Sequence, residues 1–279
     1  MEYKNAVKNI RQELENYILQ NQIKSLVLGV SGGIDSALVA ALAKPVCDNL
    51  DIPLIGRSIT IESNKQEEID RAEDMGKYFC YDFKEIDLTT EYQDLTLSIH
   101  EDIPENMTIN SLEYNEEYKI HNGNIKARLR MTYLHNLASR HKGMVLSTDN
   151  STEYLLGFWT LNDVGNYGMI QSLWKSEVYD MAEWIVKNES LSLLEQQSLV
   201  SCIEADATDG LGITDTDLDQ IMPSWKGSSK EGYNIVDLIL IKYIERGIGD
   251  LDDPVIHRHL ASEFKRKCPI NIPRNKIEA

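Results

Sequence analysis

Six consecutive residues, Ser31-Gly32-Gly33-Ile34-Asp35-Ser36, are the segment best suited to chemistry. They follow an apolar run, Ser25 to Val30, and lead into an Ala- and Leu-rich stretch from Ser36 to Ala43. A strand, a glycine loop and a helix in that order let backbone without side chains approach an anion, while the first N–H groups of the helix point at it. Phosphate is the natural guest. The loop has no Gly-Lys-Ser/Thr ending, so no P-loop lysine is at hand for β- and γ-phosphates, and it has no GxGxxG dinucleotide pattern.

Downstream lie further polar clusters in a fixed order. Gly123-Asn124-Ile125-Lys126-Ala127-Arg128-Leu129-Arg130-Met131 comes first. Ser147-Thr148-Asp149-Asn150-Ser151-Thr152-Glu153 follows, then Gly157-Phe158-Trp159-Thr160 and Lys175. Nearer the C-terminus are Ala207-Thr208-Asp209-Gly210-Leu211 and Phe264-Lys265-Arg266. The six-residue loop resembles the SGGxDS loop of N-type ATP pyrophosphatases, which holds the pyrophosphate part of ATP. The later elements resemble, in order, the GNxxARxRM, GTxNxxE…GYxT, PTADL and HKR elements of ammonia-dependent NAD synthetases. This resemblance extends from about Leu26 to Arg266.

The resemblance implies amidation of deamido-NAD+ by ammonia through an acyl-adenylate, with release of AMP and pyrophosphate. A carboxylate is a poor electrophile until its oxygen becomes a good leaving group, which transfer to AMP provides. By the same resemblance, Gly29, Val30, Ser31, Gly32, Gly33, Ile34, Asp35, Ser36, Thr148, Lys175 and Thr208 contact ATP. Asp35 and Glu153 are then the catalytic carboxylates that hold Mg2+, and Arg128, Leu161, Asn166, Phe264 and Lys265 face the acceptor. Each position also has a structural reading. Arg128 could be a solvated helical arginine, Thr148 a strand-end cap, Lys175 a surface lysine, Thr208 a turn residue beside Asp206 and Asp209, and Lys265 part of a solvated tail.

One loop departs from the family. Leu161 stands where a substrate-binding lysine is usual, and Asn166 where an aspartate contacts the dinucleotide. Three readings of the acceptor therefore stand: deamido-NAD+, nicotinate mononucleotide, or a nucleotide-binding module without turnover. Glutamine as nitrogen source would require an amidase domain with a nucleophilic cysteine, for which the chain has no room, so free or delivered ammonia is expected. Pyrophosphatases that modify tRNA share the loop, but they need basic surface or catalytic cysteines.

The elements that must position these residues follow from periodicity. Val7, Ile10, Leu14, Tyr17 and Ile18 recur at helical spacing, which predicts an N-terminal helix over 2–22. Strands are expected at Ser25 to Val30, Pro53 to Ile61, near Asp82 to Ile86, and at Gly143 to Leu146. Helices at Ser36 to Ala43, Lys65 to Tyr78 (solvent-facing), Asn124 to Ser139 and Trp174 to Val186 alternate with them. That alternation implies an α/β fold with a doubly wound, mainly parallel sheet flanked by helices, the Rossmann-like ATP pyrophosphatase fold of the family it resembles. Gly157 to Ser172 has no period and reads as a structured loop; Asp206 to Thr216 and Pro223 to Glu231 read as mobile surface. From about residue 191 the chain is mostly helical, and 1–279 is expected to form one domain.

Composition excludes other classes. The 45 acidic against 28 basic side chains give −17, which repels a nucleic-acid backbone, although a small nucleotide can still be held locally. Cys47, Cys80, Cys202 and Cys268 lack CxxC or zinc spacing, as suits a reducing compartment, and no run approaches the roughly 18 apolar residues of a membrane span, so the expected setting is cytoplasmic. The apolar stripe on the first helix, with the family's habit, suggests a homodimer; alternatively the stripe is buried within the chain.

Overall fold

A computed structural model describes residues 1–62, 64–102, 116–208, 214 and 216–278. Asp209, Gly210 and Leu211, from the segment compared with PTADL, lie outside the described residues.

The chain runs α1 (Tyr3–Asn21), β1 (Leu26–Gly29), α2 (Ile34–Leu50), β2 (Leu54–Thr60), α3 (Gln66–Phe79) and β3 (Asp82–Asp87). It continues through α4 (Thr89–Glu101), α5 (Glu116–Arg140), β4 (Met144–Ser147), α6 (Ser151–Leu156) and β5 (Tyr167–Gly168). The remainder is helical: α7 (Lys175–Asn188), α8 (Leu193–Glu204), α9 (Ser229–Arg246), α10 (Pro254–Ala261), α11 (Glu263–Arg266) and α12 (Arg274–Ile277), with a 3-10 turn at Asp217–Gln220 before α9.

Among the described residues the strands form one sheet in the order β3-β2-β1-β4-β5, all parallel. Leu26 of β1 stands beside Leu54 of β2 on one side and Met144 of β4 on the other. The winding therefore reverses between β1 and β4, and the crevice beyond the carboxyl ends of those two strands is the topological switch point where open α/β sheets take ligands. The glycine loop leaves β1 there, and Thr148-Asp149-Asn150 leaves β4 beside it.

Strand alternation divides the core. Leu26 and Leu28 pack with α1, α2, α3, α7, α8 and α9, whereas Val27, Ile55 and Val145 pack against Leu134 and Ala138 of α5. The stretch Ala37 to Ala43 is buried all round, so α2 is a central helix rather than a surface one. Val7, Leu14 and Ile18 of α1 are also buried within this chain, so that stripe is no argument for a dimer.

Some boundaries differ from those read in the sequence, for identifiable reasons. Helix α2 passes through Pro45, which lacks the N–H that would bond Ala41 O. Arg11 of α1 supplies donors instead, Nη2 to Ala41 O at 3.1 Å and Nε to Leu42 O at 3.3 Å. Glu189 orients the guanidinium through contacts of 2.5 and 2.7 Å. Helix α5 starts at Glu116, so Gly123-Asn124 lies inside a helix, and α4 carried no strong sequence signal. Helix α3 is not simply solvent-facing, since Glu68, Ala72, Met75 and Phe79 are buried. Pro223 to Glu231 ends in order: Ser228 caps α9 by accepting from Glu231 N. Among the described residues no helix is long and apolar enough to cross a membrane.

Candidate active site

The glycine loop is tied to itself. Ser36 Oγ donates to Gly33 O (3.1 Å) and accepts from Ser31 N (3.2 Å), and Ser31 Oγ accepts from Gly33 N (3.3 Å). Gly32 has φ +79°, and a Cβ there would sit 2.3 Å from Glu68 O, so only glycine fits between this turn and α3. Its carbonyl accepts from Arg71 Nε at 3.0 Å. The first N–H groups of α2 have no intrahelical partner, as at any helix start, and they open onto the switch-point crevice.

Beside the loop lies a charged centre. Lys175, the first residue of α7, is buried, and its Nζ contacts Asp35 Oδ2 and, at 2.7 Å, Glu153 Oε1. The Tyr233 ring lies 5.4 Å from Nζ. Burial alone would lower the lysine's pKa, but Asp35 and Glu153 outweigh it and hold the ammonium form firmly. Burial and then the Asp35 charge push Glu153 up to about 8, against the pull of Lys175. Asn150 joins the two loops: its Nδ2 donates to Asp35 Oδ1 (2.8 Å) and its Oδ1 accepts from Glu153 N (3.0 Å), which caps α6. Behind this, Thr152 Oγ1 accepts from Lys175 N (2.9 Å) and donates to Asp237 Oδ1 (2.5 Å), while Asp237 Oδ2 accepts from Ser176 N (2.8 Å).

The donor set suits one kind of metal. Among the described residues no group of three His, Cys, Asp or Glu side chains could enclose an ion. Asp35 and Glu153 are the carboxylates that could hold a hard cation such as Mg2+, which is commonly held by one or two carboxylates together with substrate phosphates.

A cleft of about 400 Å3 opens over this centre. Gly29, Val30, Ser31, Gly33, Ile34, Asp35, Ser36, Thr148, Glu153, Lys175, Thr208 and Lys265 line it. Gly32 does not; its turn faces α3. Thr208 Oγ1 donates to Glu68 Oε1 at 2.7 Å. Lys265 Nζ donates to Gly157 O (2.7 Å) and Trp159 O (2.5 Å), and burial and then Arg258 lower its pKa.

The other residues expected on the acceptor side, Arg128, Leu161, Asn166 and Phe264, are absent from the cleft wall. Arg128 is exposed, with Nε donating to Leu161 O at 3.1 Å. Asn166 finishes the edge of β4: its N donates to Val145 O (2.7 Å) and its Oδ1 accepts from Val145 N (3.0 Å). Phe264 is 54% exposed.

Sequence reasoning passed over several groups. Asn150 stood inside a quoted motif and was nameable as a cap. Asp237 had no local signal, since its partner Thr152 lies 85 positions away. Asp163 lines the cleft with Oδ1 accepting from Thr160 N at 3.0 Å; burial and then Asp149 push it up to about 7.

Comparison with known proteins identifies the family. A family model described as NAD synthase matches residues 6–269. The NH(3)-dependent NAD(+) synthetase of Campylobacter jejuni subsp. doylei is 28% identical over 96% of this chain and 98% of its own length. That of Mycoplasma genitalium is 29% identical over 91% and 92%. In fold, the NMN synthetase from Francisella tularensis superposes with a TM-score of 0.73 at 20% identity, covering 98% of this chain and 99% of that one. The NH3-dependent NAD synthetase from Campylobacter jejuni does so with 0.66 at 22%, covering 98% and 100%. With a parallel sheet, a phosphate-type loop at its switch point and a family match over nearly the whole length, this chain belongs to the NAD synthase family.

Proposed function

We propose that the chain catalyses ATP-dependent amidation of deamido-NAD+ by ammonia, with AMP and pyrophosphate as the other products. The observation that carries this is the buried Lys175 held between Asp35 and Glu153 beside the SGGIDS loop. In this reading Gly29 to Ser36, Thr148, Lys175 and Thr208 bind ATP, the loop N–H groups hold its phosphates in place, and Lys175 meets negative charge with a fixed positive one. Asp35 and Glu153 would hold Mg2+, which neutralises charge growing on the leaving pyrophosphate when bound. Asn150 orients Asp35, and Thr152 with Asp237 sets the start of α7, so the carboxylates and the lysine are placed before ATP arrives. The acceptor carboxylate attacks the α-phosphate of ATP, pyrophosphate leaves, and ammonia then displaces AMP from the acyl carbon. No covalent enzyme nucleophile is required.

On the acceptor side, Lys265 lines the cleft, and Arg128, Leu161, Asn166 and Phe264 would reach substrate only across a boundary the cleft does not include. That arrangement supports keeping nicotinate mononucleotide as a second acceptor. A homodimer whose interface borders the active site fits the family reading, as does a cytoplasmic setting for free Cys47, Cys80, Cys202 and Cys268.

Product analysis with ATP, ammonium and either acceptor tests the proposal. AMP and pyrophosphate formed only with acceptor support it, and the faster acceptor identifies the substrate. ADP and phosphate, or ATP bound without turnover, would refute it. Light scattering that returns one monomer mass at working concentration would reject the dimer.

A further inference from the structure

The glycine loop lacks the lysine that P-loops aim at the outer phosphates. The other cations lining the cleft already have partners within the protein. Arg57 pairs with Asp82 at 2.7 Å, Lys175 lies between Asp35 and Glu153, and Lys265 is spent on two carbonyls. Arg130 donates to Ile59 O and Asn64 Oδ1, and Arg258 donates to Leu156 O while its guanidinium lies over the Phe158 ring, 4.3 Å from the centroid.

Arg71 is different. It stands on α3, half-buried and lining the cleft, and no motif considered above includes it. Its Nε donates to Gly32 O at 3.0 Å, and among the described residues it has no carboxylate partner. That bond has two consequences. It engages the lone pairs of a loop carbonyl that would otherwise repel a nearby anion. It also holds the guanidinium against the glycine loop, with neither terminal nitrogen hydrogen-bonded among the described residues. The base of the side chain is fixed as well, since a Cβ on Gly32 would meet Glu68 O, Ala72 N and Arg71 Cβ within 3.2 Å. A guanidinium oriented in advance by one bond, with its two-pronged donor face open, matches phosphate geometry better than an ammonium does.

We propose that Arg71 binds the pyrophosphate half of ATP, supplying from α3 the cation that the loop's own sequence omits. This rests on the reading of the SGGIDS loop as an ATP site. Arg71 is a substrate-binding group that also positions the loop, and the two roles separate experimentally. Arg71→Gln retains an amide donor for Gly32 O but no charge; Arg71→Met retains neither; Arg71→Lys retains the charge.

Calorimetric titration of wild type and the three variants with Mg·ATP and with AMP provides the test, because AMP lacks the two outer phosphates. The expected result is an ATP affinity about 10- to 100-fold lower in R71Q and R71M, with AMP affinity unchanged and R71K between R71Q and wild type. ATP affinity equal to wild type in R71Q, or ATP and AMP affinities falling together in it, would overturn the proposal and leave Arg71 as a brace. Should R71M not fold, R71Q and R71K decide the matter alone. Failure of the proposed function would be seen separately, as wild type that makes no AMP from ATP and acceptor.

Discussion

Asp237→Ala tests whether the charged centre is held from behind. The Asp237 carboxylate, 2% exposed, accepts from Thr152 Oγ1 at 2.5 Å and from Ser176 N at 2.8 Å. Alanine would leave both donors buried without a partner, at about 1–3 kcal/mol each. It would also remove a negative charge that α9 places beside the first turn of α7, worth about 0.3–1 kcal/mol. One effect opposes these. Burial holds the Asp237 carboxyl above its ordinary value despite the bonds from Ser176 and Thr152, so its removal relieves some desolvation. The net expectation is a loss of about 3 kcal/mol, a large part of the roughly 5–15 kcal/mol that stabilises a domain. Because Lys175 N donates to the same Thr152 oxygen, turnover should fall as well, through misplacement of the lysine. Urea unfolding without nucleotide, read at constant m-value, measures the first effect. An unfolding free energy within about 0.5 kcal/mol of wild type would mean the donors find other partners, and the reasoning would be refuted.

Three further outcomes follow from the site. Burial and then Asp149 lift Asp163 from 3.8 to about 7, so the folded chain keeps a proton that the unfolded chain releases; this contribution is complete in acid and is lost as pH rises from about 4 to about 7. Asp163→Asn, which keeps the acceptor for Thr160 N, should match wild type near pH 4 and exceed it by about 1–2 kcal/mol near pH 8, the figure being discounted for partial solvent screening. Thermal unfolding at the two pH values decides, and a variant no more stable at the higher pH counts against the buried-carboxyl account. Gly32→Ala forces a side chain into φ +79° against Glu68 O, so a loss of at least about 2 kcal/mol and of ATP binding is expected in melting and calorimetric assays. Asp35→Asn and Glu153→Gln should each slow turnover by on the order of 100-fold or more, as should chelation of Mg2+ in wild type; unchanged rates in both variants would remove the metal assignment.

Much of the fold was legible because it is locally encoded. The strand Leu26–Gly29, the turn through Gly32 and the buried helix α2 are set by apolar runs and a glycine φ that neighbouring residues specify. Helix α4 and the first turns of α5 were not legible, since neither stretch has a sharp apolar period. The helix read as Ser36 to Ala43 runs on past Pro45, where Arg11, from another helix, bonds the Ala41 carbonyl that the proline leaves open.

What the sequence determined unaided was the chemistry on offer: a loop that brings backbone N–H groups to a phosphate, with acids and a lysine in family order behind it. The three-dimensional packing alone decided which groups are free to use that chemistry. It buried Lys175 between Asp35 and Glu153, engaged the Asn166 amide on the edge of β4, and set Asp237 behind the site and Arg71 beside the loop. The physical reason is that periodicity and turn geometry depend on neighbours a few residues away. The partner of a buried polar group depends instead on whichever distant side chain meets its unmet hydrogen bond once the core has closed.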